Sequence, residues 1–279
     1  MTPSEEACIA QRPTPTALTV AGSDPSGGAG IQADLKTFHQ LGVYGTSAIT
    51  LVTVQNTRRV SRVQLIPADL VREQIESVFE DIPPKAVKTG ALGSAEIIQA
   101  VSAALEQLGR GCALVVDPVM VSKHGTALIA ADAQAVLRKR LLPLATLVTP
   151  NLPEAEELTG LRVNSLEGMR EAALRIRDLG CRAVLVKGGH LPDEIGAVDV
   201  LLVDGQFHEF PGSRINTRHT HGTGCTYSAA ITALLAKEMS IPDAVGKAKC
   251  FVFNAIQTAP GLGAGAGPVN HWAGLDQPL

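Results

Sequence analysis

Short apolar runs alternate along the chain with longer segments in which apolar residues recur at helical spacing. This alternation is typical of buried parallel strands joined by crossover helices. It predicts strands at residues 17–22, 85–89, 113–117, 146–149, 183–187 and 198–203. It predicts helices at residues 31–41, 70–80, 95–108, 133–141 and 166–179, and two more that begin at Gly224 and Pro242. The pattern therefore indicates an α/β fold with a mostly parallel central sheet.

One region interrupts this alternation, because two β-branched runs follow each other with no room for a helix. Residues 46–54 and 60–66 are separated only by Gln-Asn-Thr-Arg-Arg at residues 55–59. Such a pair predicts a β-hairpin, a flap at about residues 44–66 that projects from the sheet. Near the end of the chain, the glycine-rich residues 261–267 favour a flexible closing loop over a nucleotide-binding fingerprint.

Length and composition favour a single domain that binds a small molecule. A chain of 279 residues is long enough to bury one large core, and we expect a domain at residues 17–279 behind a disordered tail at residues 1–16. The formal net charge is −3, so no basic field attracts nucleic acid or anionic lipid. Neither a signal peptide nor an apolar run of membrane-spanning length is present, so no membrane association is expected.

The number and spacing of the cysteines indicate whether the protein belongs to an oxidising or a reducing cellular compartment. There are five, at positions 8, 112, 181, 225 and 250, without any Cys-x-x-Cys pair. An odd number with this spacing argues against a disulfide framework or a zinc knuckle. We therefore expect a protein of the reducing cytoplasm.

The segment His-Gly-Thr-Gly-Cys-Thr at residues 221–226 places two glycines and a thiol at the start of a predicted helix. Backbone N–H groups at a helix start bind anions, so Gly222, Thr223 and Gly224 are candidates for a phosphate site. A helix N-terminus also lowers the pKa of a thiol, which would prepare Cys225 to accept a proton. The alternative is that Cys225 is a small buried residue without a chemical role.

The first predicted strand runs into a glycine-rich loop at residues 22–30, which precedes a helix. Glycines there permit a close approach of the backbone to a ligand, although a purely structural turn has the same composition. The loop lacks both the Lys-Ser/Thr pair of a phosphate-binding P-loop and the spacing of a dinucleotide fingerprint. Asp34, one turn into the helix, faces either a ligand or solvent.

Polar side chains also follow three later strands, at the sheet edge where ligands bind in parallel α/β proteins. Asp117, Asn151 and Glu154 offer oxygen ligands that suit Mg²⁺ held mainly by phosphates, whereas the alternative for Asn151 and Glu154 is a helix N-cap. Lys187 either meets a nucleotide phosphate or is a surface lysine at a strand end. Three histidines match no zinc signature and are expected to be polar loop residues without a catalytic role: His190, His219 and His221.

Several short motifs occur together in one order. They are the Gly-Ser-Asp-Pro-Ser-Gly-Gly-Ala-Gly segment within residues 21–36, Gln-Asn-Thr at 55–57, and the segments at 117–120, 149–154, 186–190, 221–225 and 267–271. In these motifs the chain resembles the hydroxymethylpyrimidine/phosphomethylpyrimidine kinases of thiamine biosynthesis, from about Ala17 to its end. Because those kinases are ribokinase-like, the resemblance implies a three-layer α/β/α fold with a small β flap.

The resemblance implies phosphorylation, with ATP as co-substrate and Mg²⁺ as cofactor, of the hydroxymethyl group of 4-amino-5-hydroxymethyl-2-methylpyrimidine. The resulting monophosphate would then be converted to the diphosphate. In the substrate pocket, the resemblance implies that Gln55 recognises the pyrimidine edge, with Gly22, Ala29 and Asp34 lining the same pocket. It also implies a homodimer with the flap near the interface.

For the nucleotide, the resemblance implies that Lys187 contacts the ATP phosphates and that Asn151 and Glu154 form the motif for metal and phosphate. We add Asp117 to Glu154 as a candidate metal ligand. The turn from Gly222 to Gly224 corresponds to the anion hole, and Cys225 corresponds to the position of the base that is proposed for this family. Related sugar kinases carry Asp at that position.

Two other functions are compatible with parts of the sequence. A pyridoxine or pyridoxal kinase is the nearest alternative, although Gln55 and the loop at residues 22–30 favour the aminopyrimidine. A non-catalytic pyrimidine-binding protein is the second, but it would be expected to have lost the anion hole, Lys187 or Glu154. Ala91 departs from the family pattern, which often has Met there, and it predicts a roomier pocket.

Overall fold

The strands form one sheet in the computed structural model, which describes residues 14–120, 129, 131–189, 191 and 196–275. They are β1 Thr16–Ser23, β2 Tyr44–Asn56, β3 Arg59–Leu65, β4 Ala86–Thr89, β5 Ala113–Val116, β6 Leu147–Val148, β7 Ala183–Val186, β8 Asp199–Val203 and β9 Gln206–Phe210. Their order across the sheet is β3-β2-β1-β4-β5-β6-β7-β8-β9. Strands β2, β1 and β4 to β7 run parallel, whereas β3, β8 and β9 pair in antiparallel fashion at the two edges.

Helices connect the parallel strands, as the sequence pattern predicts. They are α1 Gly30–Gln40, α2 Ala68–Asp81, α3 Ala95–Leu108, α4 Ala131–Val136, α5 Leu152–Thr159, α6 Leu166–Arg177, α7 Thr223–Ala236 and α8 Ile241–Gln257. The helix predicted at residues 133–141 changes character after Val136, into a wider turn at Leu137–Leu141 and a tight turn at Leu142–Leu144. Pro143 lies in that tight turn and cannot supply the N–H of a regular helix.

Helices cover both faces of the sheet. One apolar cluster joins residues of α2, α3, α5 and α6 to one face, and a second joins residues of α1, α7 and α8 to the other. The central strands β4 and β7 are buried along their whole length, as expected for strands covered on both sides. The prediction of a three-layer α/β/α fold with a mostly parallel sheet is therefore confirmed.

The predicted hairpin is formed by β2 and β3, which pair from Leu51 with Leu65 to Asn56 with Arg59. The first half of β2 also pairs with β1 in the central sheet. The second half extends past the end of β1 and forms the hairpin with β3. The glycine-rich segment at residues 261–267 packs against the end of this hairpin. Ala266 donates its backbone N–H to the carbonyl oxygen of Thr57 at 2.8 Å, and Gly265 donates to the Thr57 hydroxyl at 3.2 Å.

The main differences between the predicted and observed elements are α5, for which the sequence analysis gave no bounds, and β9, which it did not predict. The sequence of β9, Gln-Phe-His-Glu-Phe, is mostly exposed at an edge of the sheet and lacks the apolar run of a buried strand. The tail predicted at residues 1–16 lies mostly outside the described residues, although Thr16 already belongs to β1. Within the described residues, no helix combines the length and apolar character required to cross a membrane.

Candidate active site

A cavity of about 860 Å³ opens at the edge of the sheet where the parallel strands end. Its wall combines the loop after β1, the inner face of the hairpin, the ends of β4 to β7 and the start of α7. Predicted site residues in the wall are Gly22, Ala29, Gln55, Asp117, Asn151, Glu154, Lys187, Gly222, Thr223, Gly224 and Cys225. The structure thus brings together all of the predicted site residues except Asp34.

The turn before α7 has the backbone of an anion site. Gly222 has a φ of 80°, and a Cβ atom at this position would lie 1.7 Å from the carbonyl oxygen of Gly28. Only glycine satisfies both conditions, so the turn packs directly on the loop that follows β1. No side chain caps the first turn of α7, and the residues from Gly222 to Cys225 line the cavity. Their backbone is therefore available to an anionic group.

Cys225 does not have the lowered pKa that its position at a helix start predicts. Burial raises the pKa of its thiol to about 11, although the nearby ammonium of Lys88 opposes this rise. Desolvation of the thiolate outweighs the effect of the helix N-terminus, and the charges of Asp34 and Asp117 add to the rise. At neutral pH the side chain is therefore a protonated thiol, and the expectation of an ionised base is corrected.

Asp34 was predicted to line the substrate pocket, but it lies beneath the cavity wall. Its carboxylate is fully buried, 2.8 Å from Lys88 Nζ, and it accepts a hydrogen bond from the Thr19 hydroxyl at 2.6 Å. Lys88 lies next to the cavity, although its side chain is fully buried. Burial opposes the positive charge of Lys88, but the carboxylate of Asp34 raises its pKa above the usual value. The sequence signal for Lys88 was a lone lysine within a buried strand.

A second charged cluster lies at the ends of β5, β6 and β7. Lys187 Nζ is 2.9 Å from Asp117 Oδ1, and the same carboxylate accepts hydrogen bonds from Thr149 and Ser228. Burial opposes the charge on Asp117, but Lys187 holds the pKa of this carboxyl below its usual value. Lys187 is therefore not a surface lysine, and its ammonium lies in the cavity wall beside a buried carboxylate.

Asn151 and Glu154 form a capping box at the start of α5. Asn151 Oδ1 accepts the N–H of Glu154 at 2.9 Å, and Glu154 Oε2 accepts the N–H of Asn151 at 2.8 Å. The helix-cap alternative for these residues is therefore correct, and both still line the cavity. Burial, together with the charge of Asp117, raises the pKa of Glu154 to about 7, against the effect of Lys187.

His221 is the site residue that sequence reasoning assigned wrongly, since it was expected to be a polar loop residue. It is buried, and its Nε2 lies 2.8 Å from Asp24 Oδ2 and 3.2 Å from the terminal amide of Gln55. These contacts join the loop after β1, the hairpin and the anion turn. His219 lies in a loop outside the cavity wall, and His190 lies outside the described residues.

The glycine-rich loop after β1 is organised by Asp24. Its carboxylate accepts the backbone N–H groups of Ser26 and Ala29 and the Ser26 hydroxyl, each at 2.9 Å. Gly30 begins α1 with a φ of 58°, and a Cβ atom there would lie 2.2 Å from the carbonyl oxygen of Gly22. The loop is thus a tight structural turn whose exposed side, at Gly22 and Ala29, forms part of the cavity wall.

The far end of the cavity contains polar residues that the sequence did not indicate. Asp199 Oδ2 lies 2.8 Å from Lys249 Nζ and accepts a hydrogen bond from the Tyr227 hydroxyl at 3.0 Å, and Asp199 Oδ1 accepts the N–H of Gly188 at 2.8 Å. These residues come from β8, α7, α8 and the turn after β7. The group therefore fixes the loop next to Lys187 and forms part of the cavity wall.

Known proteins are similar to this chain over most of its length. The family model of phosphomethylpyrimidine kinase matches residues 24–270. The hydroxymethylpyrimidine/phosphomethylpyrimidine kinase of Bacillus subtilis is 46% identical over 257 residues, which cover 92% of this chain and 94% of that protein. A thiamine biosynthesis bifunctional protein of Geobacter sulfurreducens is 52% identical over 259 residues, which cover 93% of this chain. The match spans only 52% of that longer relative.

Solved structures agree with the fold. A pyridoxal kinase of Bacillus subtilis, determined as an ADP complex, superposes with a TM-score of 0.85 at 39% identity, covering 92% of this chain and 97% of its own. Both the sequence match and the fold therefore point to one group of vitamin kinases. The chain is a kinase that belongs to the phosphomethylpyrimidine kinase family.

Proposed function

We propose that this kinase transfers the γ-phosphoryl group of ATP to 4-amino-5-hydroxymethyl-2-methylpyrimidine, and then a second phosphoryl group to the monophosphate. The observation that carries the proposal is one cavity whose wall contains the anion turn, with Gln55 beside its start at His221 and Lys187 beside Gly224. Such an arrangement brings an acceptor alcohol and a nucleotide to opposite sides of one phosphate site. The end with Gln55, Gly22 and Ala29 takes the pyrimidine.

The anion turn and Lys187 carry the phosphoryl chemistry in this proposal. Phosphoryl transfer requires mainly an in-line arrangement of two oxygens and stabilisation of charge on the transferring group. Backbone N–H groups at Gly224 and Cys225 and the ammonium of Lys187 supply that stabilisation without reorganisation. A Cβ atom at Gly224 would lie 3.4 Å from Lys187 Nζ, so the turn and the lysine face the same space.

The chemistry of the donor set fits Mg²⁺ at Asp117 and Glu154. Both carboxyl groups line the cavity, and burial together with the charge of Asp117 raises the pKa of Glu154, so a bound cation would favour its ionised form. Among the described residues, no group of three or more His, Cys, Asp or Glu side chains is arranged to hold a metal ion. The two carboxylates would therefore share the ion with phosphate oxygens and water, the usual arrangement for Mg²⁺, whose charge would offset that of the phosphates.

Cys225 orients the acceptor hydroxyl in this proposal. A thiol with a pKa near 11 is protonated at neutral pH, so it is a hydrogen-bond donor and a weak acceptor in the resting enzyme. General-base catalysis requires a group whose pKa lies near the working pH. The thiol meets that requirement poorly, whereas its place in the wall beside the anion turn suits positioning.

The substrate is tested by measuring ADP release with the aminopyrimidine and with pyridoxal at equal concentrations. Pyridoxal is the second candidate because a pyridoxal kinase shares this fold with a TM-score of 0.85. We expect a higher kcat/KM for the aminopyrimidine, and formation of the diphosphate from the monophosphate. Faster turnover of pyridoxal would reject the first assignment, and no ADP release with either alcohol would support a non-catalytic binding protein.

We also propose that the enzyme is a cytoplasmic homodimer that assembles through the hairpin. The outer face of the hairpin exposes Val52 and Val54, 41% and 56% exposed, at the β3 edge of the sheet. Exposed apolar residues on an edge hairpin suit pairing with a second copy. Light scattering of the eluted protein tests the assembly, and charged substitutions at both valines are expected to give monomers. The described cysteines are free thiols, which suits a reducing compartment.

A further inference from the structure

Asp24 and Gln55 both contact the same ring nitrogen of His221 in the wall of the cavity. His221 Nε2 lies 2.8 Å from Asp24 Oδ2 and 3.2 Å from the Gln55 amide. The side chains of Asp24 and His221 are each only 4% exposed. Water therefore competes little for these contacts, and the protein itself determines the direction of each hydrogen bond.

The carboxylate of Asp24 is held in one orientation by its own loop. Ser26 donates twice to it, through its backbone N–H and its hydroxyl, and Ala29 donates its backbone N–H. Burial opposes ionisation of Asp24, but the hydrogen bonds from His221 and Ser26 lower the pKa of the carboxyl below its usual value. The group is therefore an ionised, immobile acceptor.

The carboxylate determines where the imidazole carries a hydrogen. A ring nitrogen at 2.8 Å from a carboxylate oxygen must donate, so His221 Nε2 bears a hydrogen and has no lone pair to offer. The terminal amide of Gln55 cannot donate to that nitrogen. The amide nitrogen and oxygen of Gln55 exchange places by rotation about the last side-chain bond, so the favourable orientation replaces the nitrogen at 3.2 Å by the carbonyl oxygen, which shares with Asp24 the one hydrogen on His221 Nε2. The amide N–H₂ group then faces the cavity.

We propose that Asp24 and His221 are positioning residues that hold Gln55 as a hydrogen-bond donor toward the substrate. The site then selects a heteroaromatic ring that presents an acceptor nitrogen to Gln55 and rejects a ring with a C–H group at that position. This inference rests on the proposed function, in which Gln55 contacts the pyrimidine. A polar group committed to a single orientation discriminates more strongly than one that rotates, because the wrong substrate leaves it unpaired.

The test compares the aminopyrimidine with its two analogues in which one ring nitrogen is replaced by C–H. We expect the native enzyme to lose about tenfold or more in kcat/KM with one analogue, the loss typical of an unpaired buried donor. In His221→Phe the amide rotates freely, so this discrimination falls below about threefold, mainly through KM. Gln55→Glu presents only acceptor oxygens and raises KM for the aminopyrimidine. The exposed His39→Phe on α1 and Gln64→Glu on β3 serve as matched controls.

The outcomes separate this inference from the proposed function. If Gln55→Ala abolishes the discrimination and His221→Phe retains it in full, the positioning role is wrong while the substrate assignment stands. If Gln55→Ala changes neither KM nor the discrimination, the proposed contact between Gln55 and the pyrimidine is wrong. Unchanged ADP binding in His221→Phe shows that the variant is folded.

A second measurement requires no substitution in the enzyme under study. In protein labelled with ¹⁵N-histidine, we expect the His221 resonances at pH 8 to show a hydrogen on Nε2, with His221→Phe used only to assign them. A tautomer that carries hydrogen on Nδ1 alone would overturn the proposal, because Nε2 would then accept a hydrogen bond from the Gln55 amide.

Discussion

Replacement of Gly222 by alanine tests whether the anion turn depends on its contact with the loop after β1. The new Cβ atom would lie 1.7 Å from the carbonyl oxygen of Gly28, and the φ of 80° is a left-handed conformation. The backbone conformation alone costs an alanine about 1–2 kcal/mol. A collision with backbone rather than with a flexible side chain adds about 1–3 kcal/mol, since one of the two segments must move.

Gly160 provides a matched control, because it shares the backbone conformation without the collision. It ends α5 with a φ of 71°, and a Cβ atom there meets nothing within 4 Å. We expect Gly160→Ala to lose about 1–2 kcal/mol in the free energy of unfolding and to keep normal turnover. Gly222→Ala is expected to lose more stability and to lower kcat by about 10²- to 10³-fold, because the displaced turn carries the N–H groups of the anion site.

Urea unfolding and steady-state ADP release measure the two effects separately. Turnover is compared at a temperature at which both variants are fully folded. Equal losses of stability in the two variants, with unchanged turnover in Gly222→Ala, would refute the argument that this glycine is required for close packing of the anion turn.

Three further predictions concern the charged groups around the cavity. Cys225→Ala is expected to lower kcat by about 10- to 100-fold through lost positioning, with ADP affinity unchanged by calorimetry; a normal kcat would remove the thiol from the mechanism. Glu154 has a pKa raised to about 7, so its contribution to stability is complete below about pH 4.5 and is lost as the pH rises to 7. Glu154→Gln should flatten the pH dependence of unfolding in that window, and an unchanged slope would contradict the shift. Lys88→Met removes the cation that opposes the rise in the pKa of Cys225, so alkylation of Cys225 at pH 9, followed by peptide mass spectrometry, should be slower than in the native protein. Faster alkylation in a variant that is fully folded by its urea unfolding curve would show that Lys88 does not act on the thiol.

The fold was predictable because apolar residues recur at clearly different spacings in its strands and its helices. Buried parallel strands appear as short apolar runs, and the amphipathic helices between them appear at a spacing of 3.6 residues. The hairpin was recognisable because β2 and β3 leave no room for a helix. β9 was not recognisable, because an exposed edge strand buries little and carries polar residues along its length. Its pairing with β8 supplies the regularity that its sequence lacks.

The site was predictable where a side chain follows a strand or precedes a helix. Asp117, Lys187 and Glu154 meet at the cavity because the ends of parallel strands converge. Asp34 was placed wrongly because the sequence does not show which face of α1 meets the sheet at that turn. His221 was missed because its partner Asp24 is 197 positions away in the chain, and such a contact leaves no local pattern.

The pKa of Cys225 depends both on its place at a helix N-terminus and on its burial in the protein, and the two effects oppose each other. The helix N-terminus favours the thiolate by an amount that fades within the first turn, whereas partial removal from water disfavours the charge on the half-buried Cys225. The result is a raised pKa even though the ammonium of Lys88 lies nearby. A loose phosphoryl-transfer transition state places little charge on the attacking oxygen, so an early strong base is not required. The positive charge of Lys88, held by the buried carboxylate of Asp34, opposes the rise in the pKa of Cys225 from within the protein, without reversing it.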